Sequence, residues 1–246
     1  MKILVCISKV PDTTSKINFV DNNTKFDESG VQYIVNPYDD WYALVRALEL
    51  VESSSGSVTI ITVGRSSDDP TIRKALAIGA NDAVRIDADP TDSFFVAKEI
   101  ANFASEQNYD IIMTGKETID YNGAQIGSMI SELLDLPFVS LATKLEIDGS
   151  KAVLDRDVQG GIEVVEVEMP IVLSAAKGMA EQRIPNMRGI MQARQKPLNV
   201  IPAFDCELKT KSVKYYKPVE RNEVKLIPSD NLDQLIDLLH NEAKVL

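Results

Sequence analysis

The sequence predicts an α/β fold: a doubly wound, mainly parallel sheet with an added β-hairpin and an extended C-terminal arm. Three observations carry that prediction. Strand-like and helix-like segments alternate from Lys2 to Leu134. Several of the strand-like segments are continuous apolar runs, as expected of strands buried on both faces. From Leu141 the pattern changes to short alternating segments split by turn residues, and beyond Pro197 it becomes irregular.

Each element has its own signal. Lys2–Ser8 is a continuous apolar run and reads as the first strand. Tyr38–Val51 follows Asn36-Pro37, with Trp41, Ala43, Leu44, Ala47, Leu48 and Val51 at helical spacing. Asp39 and Asp40 fall where the helix dipole favours acids. Val58–Val63 is a strand closed by Gly64, and Pro70–Ile78 a helix with proline in its first turn and Gly79 behind it. Ala83–Ile86 is a short strand. Thr91–Glu106 is a helix buried through Phe94, Phe95, Ala97, Ile100, Ala101 and Phe103. Tyr109–Thr114 is a strand ending at Gly115, and Ala124–Leu134 is the helix after it. Thr143–Ile147 and Ala152–Asp157 flank Asp148-Gly149, a hairpin signal. Gly160-Gly161 leads into Ile162–Glu168, and Ile171–Ser174 is apolar enough to rejoin the main sheet. At the end, Asp230–Val245 carries Leu232, Leu235, Ile236, Leu239 and Ala243 as one helical stripe. The division expected is a domain over residues 1–202 and an arm over 203–246.

The totals narrow the function. A chain of 246 residues, 44% hydrophobic, suffices for one large domain plus an arm. A net charge of −11 argues against binding nucleic acid or an anionic membrane. The amino-terminal MKILVCISKV lacks the longer apolar core of a secretory signal, and no run is long enough for direct membrane insertion; the expected compartment is cytoplasmic. His240 is the only histidine, which removes the usual general base and the commonest metal ligand. Cys6 and Cys206 suggest no disulfide framework.

In a doubly wound sheet, ligands collect where strands end and helices begin. Ser8–Pro11, Gly64–Ser67 and Gly115–Gln125 meet that description, with Asn36–Asp39 as a fourth wall. Gly115–Ile126 is the strongest candidate, because a glycine at a strand end admits a ligand and the following helix start offers free amides for phosphate. Asp120 or Asn122 can reach a ribose hydroxyl, and Gln125 a phosphate or base. The plainer reading is an ordinary loop with Asn122 as cap and Gly123 for the turn. Tyr38 either packs on a planar cofactor or seals a core edge, and Trp41 and Cys6 read as core. The run Lys177–Arg194 places Ile184, Pro185, Met187, Ile190 and Met191 beside Arg183, Arg188 and Arg194. That mixture fits a protein contact better than a merely solvated face.

Together these segments resemble the beta subunit of electron transfer flavoproteins. KILVCISKVPDT, the Asn36-Pro37 helix entry, TIRKALAIGANDAVRI, TGKETID and the Asp155–Pro197 stretch occur in that family's order, over nearly the whole chain. Gly160-Gly161, Glu163 and Pro170 are the most specific part. Gln159 stands where an acid is customary, and Leu154 where a smaller or β-branched residue is usual.

The resemblance implies an adenine nucleotide alpha hydrolase-like fold and a heterodimer with an alpha subunit that holds most of a redox FAD. In this chain it implies a structural AMP or, in electron-bifurcating members, a second FAD. The contacts carried over fall at Cys6, at Asn36, Pro37, Tyr38 and Asp39, at Val63, and at Gly115, Lys116, Glu117, Thr118, Ile119, Asp120, Tyr121, Asn122, Gly123, Ala124, Gln125 and Ile126. Tyr121 adds bulk that favours AMP over a flavin. Tyr38 takes the place of an aromatic that approaches the alpha subunit's flavin, and Thr13 replaces another. Partner docking falls on Arg183, Met187, Arg188, Ile190 and Met191, with Met187 where leucine is common. The implied function is a non-catalytic shuttle in fatty acid β-oxidation, carrying electrons from flavin dehydrogenases such as acyl-CoA dehydrogenases to a membrane quinone oxidoreductase. The arm is expected to wrap the alpha subunit. A bifurcating subunit and a stand-alone AMP- or ATP-binding regulator are the competing readings.

Overall fold

The computed structural model describes residues 1–204, 206–219 and 224–246. The apolar amino-terminal run forms β1 (Lys2–Cys6), with Ile3, Leu4 and Val5 wholly buried. Next come β2 (Lys9–Pro11), β3 (Phe19–Val20), β4 (Lys25–Phe26) and β5 (Tyr33–Val35). These pair β2 with β5 and β3 with β4, as two small antiparallel ribbons outside the main sheet. The alternation read from the sequence follows: α1 (Asp39–Ser53), β6 (Ser57–Gly64), α2 (Asp69–Ile78), β7 (Asp82–Asp87), α3 (Ser93–Ser105), β8 (Ile111–Gly115) and α4 (Ile126–Leu134). Three antiparallel strands come next: β9 (Phe138–Asp148), β10 (Lys151–Val158) and β11 (Gly161–Glu168). β12 (Ile171–Ala175) then rejoins the sheet, parallel to both β8 and β9. α5 (Met187–Ala193), β13 (Leu198–Pro202) and α6 (Leu232–Asp237) complete the elements.

Among the described residues the main sheet has nine strands, in the order β11-β10-β9-β12-β8-β1-β6-β7-β13. The chain steps outward from β1 to β6 and β7, then crosses back to place β8 on the other side of β1. That reversal leaves a crevice beyond the carboxyl ends of β1 and β8. Successive side chains of a strand point to opposite faces, and the core divides accordingly. Ile3 and Val5 pack with Leu44 and Leu48 of α1 and Ile72 and Leu76 of α2. Leu4 and Cys6 pack with Phe95 and Ile100 of α3 and Ile130 of α4. Helices thus cover both faces, as the apolar strands require.

Four places differ from the sequence reading. Leu198–Pro202 is a parallel edge strand on β7 rather than irregular chain; its flanking prolines suit an edge, where one row of amides is unpaired. The middle of the 177–194 run is a helix, α5, capped by the Asn186 side chain accepting from the Gly189 amide at 2.8 Å. The tight turn into β11 is Gln159-Gly160, with Gly160 at φ +92°, and Gly161 is already the first residue of the strand. At the carboxyl end, α6 stops at Asp237 and a wider π-type turn covers Leu238–Glu242, so the helix expected over 230–245 is shorter.

The segment around α5 is tied to α2 by charge-assisted bonds. Lys196 Nζ donates to the carbonyls of Leu76 at 3.0 Å, Gly79 at 3.0 Å and Ala80 at 2.5 Å, closing the carboxyl end of α2. Arg73 donates to the carbonyls of Ala193 and Lys196 at 2.7 and 2.6 Å. Hydrogen bonds to a charged group contribute about 1.5–3 kcal/mol. Lys196→Met is therefore expected to lower the unfolding free energy by about 1–3 kcal/mol, read from the denaturant midpoint at unchanged slope.

Candidate functional site

A cleft of about 230 Å³ opens beyond the carboxyl ends of β1, β6 and β8, at the crossover the topology creates. Its floor is apolar, from Cys6, Ile7, Ile61, Val63, Val96 and Ile100. Its rim is polar and comes from Ser8 and Lys9 after β1, Asp68 after β6, Pro90–Ser93 before α3, and the long loop between β8 and α4. That loop ends at α4, whose first turn has no side-chain cap. Its first amide groups have no partner within the helix, and they lie at the positive end of the helix dipole.

Of the residues read from sequence, Cys6, Val63, Gly115, Lys116, Glu117, Thr118, Asp120, Tyr121, Gly123, Ala124, Gln125 and Ile126 line the cleft. Asn36, Pro37, Tyr38, Asp39, Ile119 and Asn122 do not line it, nor do Gly64–Ser67. Asn36 and Asp39 stand behind the lining instead. Wholly buried Asn36 donates to Asp40 Oδ1 at 3.1 Å and to the Glu117 carbonyl at 2.9 Å, and accepts from the Ile119 amide at 3.1 Å. Asp40 Oδ2 accepts from the Ser8 amide at 2.8 Å. The end of β1, the start of α1 and the loop after β8 are therefore one hydrogen-bonded unit. Gly115 is required at its centre, because a Cβ there would stand 2.1 Å from Asp40 Oδ1.

Tyr38 has a different role. It sits at φ +65°, ψ −92°, in a three-residue turn closed by the Asp39 amide donating to the Pro37 carbonyl at 3.0 Å. That conformation is rare and strained for a bulky residue. It leaves Tyr38 59% exposed, with its ring tilted beside the neighbouring Tyr42 ring at 6.3 Å between centroids. Tyr38 seals no core edge; it is held outward.

Ser8 and Lys9, from the Ser8–Pro11 loop named in the sequence reading, also line the cleft, whereas that reading missed Asp40, Asp68, Asp92 and the α3 residues Val96 and Ile100 as lining groups. Asp40 carried a signal only for the helix dipole, and its partners lie far away in sequence. Burial pushes the Asp40 carboxyl up to about 7, against the bonds from Asn36 and Ser8, which favour the charged form. Burial likewise pushes Asp39 up to about 6, opposed by Lys116. Burial and the charge on Asp40 drive the Cys6 thiol far above its usual range, so it stays protonated and inert. Among the described residues no group of three or more His, Cys, Asp or Glu is placed to hold a metal ion, and no helix is long and apolar enough to cross a membrane.

The 177–194 segment lies away from the cleft. Trp41 Nε1 donates to the Arg183 carbonyl at 3.1 Å, and the Arg183 guanidinium grips Glu52 with two bonds of 2.7 and 3.1 Å. Trp41 is thus a tether, where the sequence suggested only core. Arg183 is committed to Glu52, while Ile184 (82% exposed), Met187 (73%) and Met191 (67%) project outward with Ile190 and Arg188 beside them.

Fold and cleft together define an α/β protein with a cleft at the crossover of its sheet and a separate exposed apolar surface. Comparison narrows this class. The family model described as "Electron transfer flavoprotein domain" matches residues 23–205. "Electron transfer flavoprotein subunit beta" of Bacillus subtilis is 34% identical over 260 aligned positions, covering all of both chains. The protein of that name from Thermoanaerobacterium thermosaccharolyticum is 36% identical over 213 positions, covering 85% of this chain and 81% of the other. "Electron transfer flavoprotein subunit beta, mitochondrial" of Oryza sativa subsp. japonica is 32% identical across the full length of both. The chain belongs to the electron transfer flavoprotein beta-subunit family, and its role is in electron transfer.

The buried acid has a pH signature. Asp40 rises from 3.8 to about 7 on folding, so between those values the native state binds more protons than the unfolded chain. Its contribution is fully present below the unfolded value and is lost as pH rises through the folded one. Asp40→Asn should therefore flatten the fall in melting temperature with rising pH across that window. Parallel pH profiles of wild type and variant would refute the shift.

Proposed function

We propose that this chain is the beta subunit of a heterodimeric electron transfer flavoprotein, a non-catalytic electron-carrier subunit, with a structural AMP in the cleft and a redox FAD held mainly by an alpha subunit. The cleft at the crossover of the sheet carries this reading. Its apolar floor suits an adenine ring, and the uncapped start of α4 suits one phosphate. Asp120, which lines the cleft, is the candidate for a ribose hydroxyl; Asn122, the other sequence candidate, does not line it, and its backbone, at φ +48°, bonds its amide to the Thr118 carbonyl. No Cβ fills the space at Gly123, where an added one would meet nothing within 4 Å. A ligand bound only by the folded chain stabilises it by mass action.

Flavin supplies one-electron chemistry when bound; this chain contributes position. Tyr38, held outward by its strained turn, is the residue offered to a flavin on the partner. Met187, with Arg188, Ile190 and Met191 around it, is the anchor offered to flavin dehydrogenases such as acyl-CoA dehydrogenases, as in fatty acid β-oxidation. A quinone oxidoreductase is the acceptor, and the cytoplasm the compartment. Arg183 acts there through Glu52, fixing the loop rather than touching the partner.

Chromatography of the ligands released by denaturing the purified heterodimer tests the cleft. One AMP and one FAD per heterodimer are expected; two FAD and no AMP would replace this reading with the bifurcating one. For the loop, Met187→Ala should slow reduction by a donor dehydrogenase about tenfold, the cost of truncating an interface anchor. Heterodimer affinity should not change. An unaltered stopped-flow rate removes Met187 from the role.

A further inference from the structure

Asn122-Gly123 is the only Asn-Gly pair in the chain. It lies in the loop between β8 and α4, where every residue from Tyr121 to Gln125 is exposed. Gly123 lines the cleft and Asn122 does not. The Asn122 amide is held by the Thr118 carbonyl at 2.8 Å. Among the described residues, neither the Asn122 carboxamide nor the Gly123 amide makes a hydrogen bond. Other asparagines are placed differently. Asn36 is wholly buried, and the proline after it has no N–H. Asn81 Oδ1 accepts from the Val58 amide at 2.8 Å, and Asn186 Oδ1 from the Gly189 amide at 2.8 Å.

The carboxamide carbon of an asparagine is an electrophile within reach of the next residue's backbone nitrogen, through a five-membered ring. Attack needs that nitrogen unbonded, open to water that can take its proton, and on a backbone free to turn. A side chain on the second residue shields the nitrogen and restricts the turn; glycine does neither. The exposed, unbonded Gly123 amide meets each condition.

We infer that Asn122-Gly123 is a self-modifying site that acts on the empty chain and is silenced by a ligand in the cleft. The Gly123 nitrogen bonds to Asn122 Cγ, the Cγ–Nδ2 bond breaks, and the amide proton leaves with Nδ2 as ammonia. Water then opens the resulting succinimide at one carbonyl or the other, giving aspartate or an isoaspartate whose backbone is longer by one carbon. Either product puts a new negative charge shortly before Ile126, where α4 begins. There it competes with an anionic ligand for the free amides of that helix. The silencing rests on the reading that the cleft holds an adenine nucleotide: a phosphate that takes up the Gly123 N–H removes the nucleophile. A chain left empty therefore loses, with time, part of its ability to be refilled.

The test is peptide mapping by mass spectrometry of the purified full-length chain, aged in mildly alkaline buffer with and without AMP. In the ligand-free chain the peptide carrying Asn122 should gain the mass of an amide-to-acid conversion before those carrying Asn81 or Asn186 change. Gly123→Ala should slow that gain about tenfold, the effect of about 1.4 kcal/mol on the barrier. The loop accommodates this substitution, since a Cβ at Gly123 would meet nothing within 4 Å. AMP at about ten times its Kd should also slow the gain about tenfold, because only the free fraction reacts. Asn122→Asp, which carries the charge of the product, should bind AMP several-fold more weakly by calorimetry. If Asn122 changes no faster than Asn81 and Asn186, the site is overturned. If the AMP-saturated chain ages at the ligand-free rate, the silencing is overturned. A chain that binds no AMP yet deamidates at Asn122 is a different result: the modification stands, and the reading of the cleft falls together with the silencing.

Discussion

A parallel sheet that reverses direction brings the ends of β1 and β8 side by side, but nothing in that topology makes their loops converge. The convergence comes from a buried polar knot. Asp40 receives the Ser8 amide and the Asn36 side chain, and Asn36 in turn holds both ends of the Glu117–Ile119 segment. Buried polar groups are costly unless every one finds a partner. The groups of this knot satisfy one another, so removing one strands the rest. Gly115 belongs to it by what it lacks, since any side chain would displace Asp40. The cleft wall after β8 has its shape because of residues that never line it.

One helix serves both surfaces of the molecule. The amino end of α1 supplies Asp39 and Asp40 to the knot. Trp41, in its first turn, holds the Arg183 carbonyl, and Glu52, near its carboxyl end, holds the Arg183 guanidinium. Its inner face, through Ala43, Leu44, Ala47 and Leu48, is embedded in the core. The cleft and the α5 surface are therefore referenced to a single packed rod, and close-packed interiors transmit displacement rather than absorb it. Lys196 and Arg73 do the same service between α5 and α2.

Much of this was legible in the chain. Continuous apolar runs gave the parallel strands, and the stripes of α1 and α3 gave helices within a few residues of their observed ends. Gly115 at a strand end pointed to the loop that lines the cleft. What escaped were features decided by distant residues. Asp40 and Gly115 meet only through the crossover, and no local pattern distinguishes a buried acid from one that serves a helix dipole. The segments α5 and β13 are seven and five residues long. Elements so short owe their stability to packing rather than to propensity, and here the packing comes from Arg73, Lys196 and β7. The terminal stripe was real, but Leu232 and Ile236 remain exposed on this chain, and without a surface to cover them the regular helix ends early.

The exposed edge of the sheet bears on how the chain behaves as a colloid. β11 is the outermost strand on its side, and Ile162 and Val164 project from it at 65% and 67% exposure. An uncovered apolar edge strand is a template for sticking to copies of itself. Set against it is a net charge of −11, which keeps like molecules apart. That repulsion vanishes near the isoelectric point of about 4.7. Dispersal of the lone chain thus rests on its acidity, and a subunit covering the edge would take over that protective task.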